Sequence, residues 1–557
     1  MNGSVPPLKE KIPFWIVLVC LATLVFGIAD HDLWTPDEPR EAAIAYDMAT
    51  GGSLLVPRLA GEPFVEKPPL YYWASALMMR TLGKAVGETA AARMLSSICA
   101  ALTLLVVWRV AKRYLGGDRA LAVVMVLLTM AGFSFAAHRI IIDPLLMLLS
   151  TTAILLLFRG LDGNKPLPLL CGYLAAGLAF LTKGFVAWGV IAIPWAVLLV
   201  LYFRVIRRRP LLHLAGLVLL FGPGIAWAAA FYSRGGPDLF REWFMDNQVG
   251  RFLGSSGHLG HIRGPFYYLP LILALLLPWT PAFIGWVAHA RWRKAPGDAP
   301  GARNLVWLAV AWSFGGLILL SIAGTKRDLY LFPLLPGFAL LAPASIQDPA
   351  RWVKALLVFI CILLLIPMAC FSFGTLVWED GKLIPQWCFN FPIIICTAAG
   401  VYAMLRYRCN LLARVAGVGG LFYLAAILAV VPIIDQSKSY GPATIRIARA
   451  IPAGEDERVC GWRVDETSRA IFYYYTGLTL TDVRDKVRYD ESLKRLQSIL
   501  DGTDPQFNLV ITIVKKKRHF LPEGVHAEPE QVLAQEKMGV RRTVSLIKGK
   551  NKSEKQP

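Results

Sequence analysis

The stretch LYYWASALMMRTL, Leu70 to Leu82, is apolar enough to suggest a membrane helix, and whether it crosses decides how the rest of the chain is threaded. A bilayer core takes about 20 mostly apolar residues of helix. This stretch is shorter, so charge arbitrates: Lys and Arg collect in cytoplasmic loops. With Leu70–Leu82 kept out of the membrane, Lys9 and Lys11 share a side with every later basic loop. Those loops carry Arg109/Lys112/Arg113/Arg119, Arg159/Lys165, Arg204/Arg207/Arg208/Arg209, Arg291/Arg293/Lys294/Arg303, Arg351/Lys354 and Arg406/Arg408/Arg414. If the stretch spans, the N-terminal lysines and the later loops fall on opposite sides. It therefore reads as an interfacial helix within a large outer loop, residues 29–91.

Composition agrees with a membrane protein. The 557 residues are 56% hydrophobic and 17% charged, with mean hydropathy +0.51. The formal net charge of +20 belongs to the inner loops and carries no argument for nucleic acid. Basic residues near an aqueous face also suit an anionic lipid head. The nine cysteines form no C-x-x-C, and most lie in apolar stretches as small buried hydrophobes. Phe14–Ile28, preceded by Lys9 and Lys11 and followed by no small-residue cleavage site, reads as a retained signal-anchor helix.

Spanning segments begin near Pro13, Arg93, Ala120, Pro144, Pro166, Phe185, Leu211, Pro265, Leu305, Leu329, Trp352, Asn390 and Leu411, thirteen in all. After Asp435 the pattern changes. Strand-like runs at Arg458–Val464, Leu478–Val483, Phe507–Val514 and Arg541–Lys548 alternate with helix-like DETSRAIFYYYTG and DESLKRLQSILDG. Asp465 caps the first of these helices and Gly477 stops it. The expected organisation is a helical membrane domain over residues 1–435 and a soluble α/β domain over 436–557, with Lys548–Pro557 a disordered tail.

Ionisable residues are nearly absent from the middles of the spans, where a proton-coupled transporter keeps one. They crowd the outer ends instead, which suits a site where a lipid-borne substrate presents its head group. In LWTPDEPREA, Leu33–Ala42, the spacing of Thr35 and Glu38 is that of a capping box, with Pro36 as the first helical residue. Asp37 and Arg40 share the next face. Spacing alone fits a surface ion pair and a carboxylate beside a phosphate-binding cation equally well. In FVEKPPLYYW, Lys67 is held extended by Pro68, while Tyr71, Tyr72 and Trp73 fit an aromatic belt. Asp143 before Pro144 suits a helix cap. Lys183 in LTKGF and Lys326, Arg327 and Tyr330 in GTKRDLYL are outer cations and their neighbour. Snorkelling or ion-paired helix ends would account for them, but they run against the charge trend, which raises a phosphate-binding reading beside that one.

The loop 233–264 adds Arg251, His258, His261 and Arg263, but no H-E-x-x-H and no Cys partner, so a metal site has weak support. There is no Walker A loop, no G-x-G-x-x-G after a strand and no G-x-S-x-G, so ATP-driven transport and serine hydrolysis lack their motifs.

The pieces WTPDEPREAAIAYDM, VPRLAGEPFVEKPPLYYW, RIIIDPLL, LTKGF and KRDLYLFPLLP occur in that order. Together they resemble the polyprenyl-phosphate-sugar glycosyltransferases of the GT-C class, and within it the lipid A aminoarabinose transferases more closely than the protein O-mannosyltransferases. The resemblance runs over about Pro13–Pro336. It implies a GT-C fold of about 13 transmembrane helices with a soluble periplasmic α/β domain, in the bacterial inner membrane. It also implies a periplasmic active site that moves 4-amino-4-deoxy-L-arabinose from undecaprenyl phosphate to lipid A phosphates with inversion. Such transfer lowers the negative charge of lipid A and gives resistance to polymyxin and other cationic peptides.

Carried onto this sequence, the resemblance makes Asp37 and Asp143 the catalytic acidic residues and Arg40, Lys67, Lys183 and Lys326 the phosphate holders. Arg327 and Tyr330 would line the donor side, and Tyr71 and Arg251 complete the substrate-binding set. Glu66 with His261 is the candidate for a divalent metal, zinc or magnesium; the sequence itself requires no cofactor. Two alternatives stand beside this reading: the same chemistry on a protein or another glycan, and a non-enzymatic polyprenyl-lipid flippase, for which neither mid-membrane charge nor repeat symmetry is clear.

Overall fold

The computed structural model describes residues 12–250, 263–289, 301–346, 349–373, 375–379, 382–386, 390–408, 410–484, 488–515, 519–539 and 542–550. The chain packs as two compact units. The first takes Met1–Ala29, Val65–Ala74 and Ala90–Val430; the second takes Asp30–Phe64, Ser75–Thr89 and Val431–Pro557.

The first unit is helical, and each of the thirteen expected segments meets a helix. Among the described residues nine helices are long and apolar enough to cross a membrane, eleven if two bent pairs count as spans. The bent pairs are Gly117–Leu128 with Ala131–Ala137 and Pro265–Leu275 with Thr280–Ala288. The two expected segments left over are short: Phe14–Ala22 and Asn390–Arg406. The regular α-helix of the expected first span ends at Ala22, and turns carry the apolar run on, with the Phe26 amide donating to the Ala22 carbonyl at 3.1 Å. This is a multi-pass membrane protein.

Its core is dense with aromatics: Trp279, Trp312, Phe133 and Phe158 are fully buried. Small residues let neighbouring helices approach, as in other membrane bundles. A Cβ on Gly160 would stand 2.7 Å from the Leu169 nitrogen, and one on Gly172 2.8 Å from the Leu157 nitrogen. That close pair is Asp143–Asp162 and Pro166–Lys183. The two run antiparallel, which brings the first residue of one beside the last residue of the other. At the far end of the pair, Asp162 accepts hydrogen bonds from Tyr114 at 3.0 Å and Tyr202 at 2.7 Å, and Asn304 donates to Tyr202 at 2.9 Å.

Leu70–Leu82 forms part of one helix, Leu70–Val86. Its 17 residues extend about 26 Å at 1.5 Å per residue, short of a bilayer core. Tyr71 and Tyr72 are fully buried and their rings meet edge-to-face at 5.9 Å. For these two, the aromatic-belt expectation gives way to core packing.

The second unit carries a five-stranded sheet. Its strands are β1 (Val459–Trp462), β2 (Thr481–Asp482), β3 (Leu509–Lys515), β4 (Val532–Met538) and β5 (Arg542–Lys548), in the order β2-β1-β3-β5-β4. β1 pairs in parallel with β2 and β3, while β5 pairs antiparallel with β3 and β4. Asp465 caps helix Glu466–Thr476 by accepting from the Ser468 amide, and Gly477 closes it in the left-handed region at φ +73°. Burial works to raise the Asp465 carboxyl pKa, but Arg542 and Ser468 outweigh it and hold the group below its ordinary value. The expected tail overlaps ordered chain at Lys548–Lys550, and its remainder lies outside the described residues. Lys548 ends β5, the Gly549 amide donates to the Asn508 carbonyl at 2.7 Å, and the Lys550 amide donates to the Leu500 carbonyl at 3.0 Å.

The expected boundary at 435/436 also differs from the packing, because residues 30–64 pack with the C-terminal chain. Asp435 accepts from the Asp32 amide and the Trp34 indole, both at 2.9 Å. Asp32 in turn accepts from Ser439 at 2.6 Å, from the Gly441 amide at 2.9 Å and from Tyr475.

Candidate functional site

In the second unit, helix Asp37–Ala49 begins one residue later than the capping-box reading expects. Pro36 holds the N-cap position, and no side chain caps it. Glu38 reaches back to the Trp34 amide at 2.7 Å instead of to Thr35. Two acidic residues in the first turn still favour the helix dipole. Asp37 is buried and accepts from Arg40 at 2.9 Å, one turn on. Arg40 also pairs with Glu466 at 3.1 Å, a residue that nothing in the sequence singled out. Further along the same two helices, Tyr473 donates to the buried Asp47 at 2.7 Å. The Asp37 carboxylate is thus held in one orientation by a guanidinium that is itself fixed from both sides.

In the first unit, Asp143 starts its helix next to Pro144, yet Ile142 is the cap residue and no side-chain cap forms. The Asp143 carboxylate takes the Lys183 ammonium at 2.5 Å, with the side chains 2% and 5% exposed. The cap expectation fails because the antiparallel neighbour delivers a lysine to that end. The Lys183 ammonium also lies 4.6 Å from the centre of the buried Tyr330 ring, a distance at which the ring face attracts a cation. Two motifs of the sequence, RIIIDPLL and LTKGF, are therefore one cluster, with Tyr330 of a third beside it.

Gly184 makes that cluster possible. Its φ of +63° and ψ of −139° lie in a region that is essentially glycine's alone. A Cβ there would stand 2.1 Å from Gln248 Oε1. Gln248 is buried; it accepts from the Phe185 amide at 3.3 Å and donates to the Glu66 carbonyl at 3.4 Å. It links the Lys183 turn to the E-K-P motif, and no sequence pattern announced it. Gly184→Ala is expected to destabilise the protein by roughly 1–3 kcal/mol, the cost of a strained backbone position. Thermal unfolding in detergent measures this, and an unchanged midpoint would contradict the strain.

Lys67 and Glu66 are half-buried and face each other at 3.6 Å. Lys326 is 3% exposed and donates to the carbonyls of Arg263 at 3.0 Å and Ala323 at 2.5 Å. An ammonium has three donors, so one direction remains for a ligand. Burial pushes its pKa below the ordinary lysine value. Lys326 and Arg263 sit on one groove of about 630 Å³ whose other walls are mostly apolar, including Phe266, Leu269, Ile318 and Ile322. Arg327 is half-buried, and its amide donates to the Tyr268 hydroxyl at 3.1 Å.

Arg251, His258 and His261 lie outside the described residues. Among those described, no three His, Cys, Asp or Glu side chains gather in a way that would hold a metal ion. Glu66 has an ammonium as its neighbour, an unfavourable setting for a cation. The candidate metal pair is thus described at Glu66 alone, and no step below uses a metal.

The family model for dolichyl-phosphate-mannose-protein mannosyltransferases matches residues 66–227. An undecaprenyl phosphate-alpha-4-amino-4-deoxy-L-arabinose arabinosyl transferase of Pseudomonas aeruginosa (strain UCBPP-PA14) is 30% identical over 352 residues, 60% of each chain. The protein of the same name from Edwardsiella ictaluri is 30% identical over 355 residues, 61% of this chain and 60% of its own. The match thus spans about three-fifths of these relatives. The crystal structure of ArnT from Cupriavidus metallidurans bound to undecaprenyl phosphate superposes with TM-score 0.72 at 19% identity, over 96% of this chain and 97% of that one. The same protein in the apo state gives 0.69. The chain has the fold of these GT-C enzymes, as the resemblance implied.

Proposed function

We propose that this chain is an inverting glycosyltransferase. It moves 4-amino-4-deoxy-L-arabinose from undecaprenyl phosphate to lipid A phosphates at the periplasmic face of the bacterial inner membrane. The similarity to the arabinosyl transferases supports the choice of sugar and donor. One structural observation carries the chemistry: Asp143 and Lys183, both buried, form a 2.5 Å pair at the ends of adjacent membrane helices. Buried charge at a span end is expensive and marks function by default.

In this reading the groove beside Lys326 and Arg263 takes the polyprenyl chain on its apolar walls and the phosphate at its cationic end. The leaving phosphate gains negative charge as the glycosidic bond breaks, and fixed cations stabilise that charge. Lys67 and Lys183 serve the same end. The acceptor phosphate is largely ionised near neutral pH and needs little deprotonation. Asp37 therefore orients the acceptor and stabilises the positive charge that builds on the sugar, as carboxylates do for oxocarbenium-like states. Tyr330, Tyr71 and Arg327 shape the donor side. Neutralising lipid A phosphates with an aminosugar reduces the attraction of cationic peptides such as polymyxin.

The mannosyltransferase family match over residues 66–227 favours a second reading, the same donor chemistry on a protein hydroxyl. There Asp37 would be a true general base. Mass spectrometry of lipid A from cells with and without the protein separates the two. Aminoarabinose-modified phosphates only in cells that carry it support the first reading; unchanged lipid A sinks it.

A further inference from the structure

We infer that Arg139 is a further anion-binding residue of the first unit, whose guanidinium takes a phosphoryl group of a lipid substrate. The inference rests on the transferase reading above. Arg139 lies in the turn between Ala131–Ala137 and Asp143–Asp162 and is 9% exposed. Its Nε and Nη2 are buried and have no hydrogen-bond partner among the described residues. It makes no ion pair among them either. The carboxylate nearest in sequence, Asp143, is engaged by Lys183 at 2.5 Å. His138 supplies no acceptor, since both its ring nitrogens face carbonyls, of Ser134 at 2.7 Å and Phe26 at 3.0 Å.

The turn is built to hold the side chain where it is. Ser96 donates to the Arg139 carbonyl at 2.6 Å and Ser97 to the Ala137 carbonyl at 2.9 Å, pinning the backbone to the helix Glu88–Leu115. The guanidinium lies 4.9 Å from the centre of the Phe135 ring, and Phe135 packs at 6.1 Å on Phe332. Phe332 belongs to the same short helix, Asp328–Leu334, as Tyr330, the ring that faces Lys183. A ring face satisfies part of a cation's field but accepts none of its in-plane hydrogen bonds. Two parallel N–H donors with no acceptor are the arrangement that a phosphate oxygen pair completes. Buried charges are ordinarily paired, so a fixed, unpaired one points to an anion that arrives with the substrate.

The test uses the full purified chain in detergent, as wild type, R139M and R139K. Each is titrated separately with undecaprenyl phosphate and with lipid A, and its thermal unfolding is recorded without ligand. R139M is expected to unfold, ligand-free, at or above the wild-type temperature, because it removes a buried charge that has no counter-ion. Its affinity for one of the two lipids falls roughly 10- to 100-fold, the range for a lost charge-assisted hydrogen bond. R139K lies between, keeping the charge but not the fork. The lipid whose binding weakens identifies the phosphate. The inference is overturned if ligand-free R139M fails to fold or unfolds well below wild type, which marks a structural arginine. It is also overturned if R139M binds both lipids as wild type does. When wild type transfers sugar and R139M binding is unchanged, only the Arg139 assignment falls; when wild type binds neither lipid and transfers nothing, the transferase reading falls with it.

Discussion

Lys183→Met is expected to lower the unfolding temperature of the purified protein sharply and to abolish sugar transfer. The substitution leaves the Asp143 carboxylate, 2% exposed, without the ammonium 2.5 Å away. Removing one partner of a buried pair costs about 3–5 kcal/mol, mostly the penalty of stranding the other charge. Replacing both partners with apolar groups is often close to neutral. The double variant Lys183→Met with Asp143→Leu is therefore expected to recover most of the lost stability and none of the activity. That split separates a structural ion pair from a catalytic one. A double variant that regains transfer along with its midpoint would reduce the pair to scaffolding. A single variant as stable as wild type would show that the burial is not felt as the geometry implies.

Asp37→Asn is expected to fold normally and to lose transfer by about 10²- to 10³-fold, the range for removing one preorganised group that stabilises developing charge. The amide is close to isosteric, and Arg40 keeps its second carboxylate, Glu466 at 3.1 Å, so the helix Asp37–Ala49 retains its anchor. The loss should appear in kcat, with little change in KM, because the interaction is made with charge that develops in the transition state. Glu38→Gln is the control. Its neighbour is the Trp34 amide at 2.7 Å, a bond that the amide oxygen of glutamine can still accept. Comparable kcat losses in the two variants would remove Asp37 from its special place in the stretch Leu33–Ala42.

Much of the fold was legible because it follows from local patterns. Thirteen apolar segments fell on helices, and the strands at Arg458–Val464, Leu478–Val483, Phe507–Val514 and Arg541–Lys548 contain or overlap β1, β2, β3 and β5. Asp465 and Gly477 ended their helix as their chemistry dictates. The strand β4, Val532–Met538, carries no readable strand pattern: in VLAQEKM three apolar residues precede three polar ones without alternation, and the strand lies at the sheet edge, where burial leaves a weak signature. The two breaks at Ala22 and between Leu128 and Ala131 were hidden for the opposite reason, since apolar runs continue through them.

The site was legible residue by residue but not as a constellation. Asp143 and Lys183 stand 40 positions apart, and only the antiparallel packing of their helices joins them. Asp143 before Pro144 looked like a cap on local grounds, and tertiary packing overrode that use. Spacing fitted Arg40 equally to an ion pair with Asp37 and to a phosphate; the local pair forms, and the second partner, Glu466, emerges only when two helices 426 positions apart meet. Gln248 lies in no motif, and Arg139 opens RIIIDPLL with no role marked for it there. Burial without a local reason identifies them, and burial is a property of the folded chain.

The most direct measurement of the account is transfer by the purified protein in vitro. Undecaprenyl phosphate carrying 4-amino-4-deoxy-L-arabinose serves as donor and lipid A as acceptor, and mass spectrometry reads the products. The predicted result is lipid A bearing the aminosugar on a phosphate with release of undecaprenyl phosphate, formed at least about 10²-fold more slowly by Asp37→Asn. Intact donor and unmodified lipid A after incubation with folded wild-type protein would contradict it.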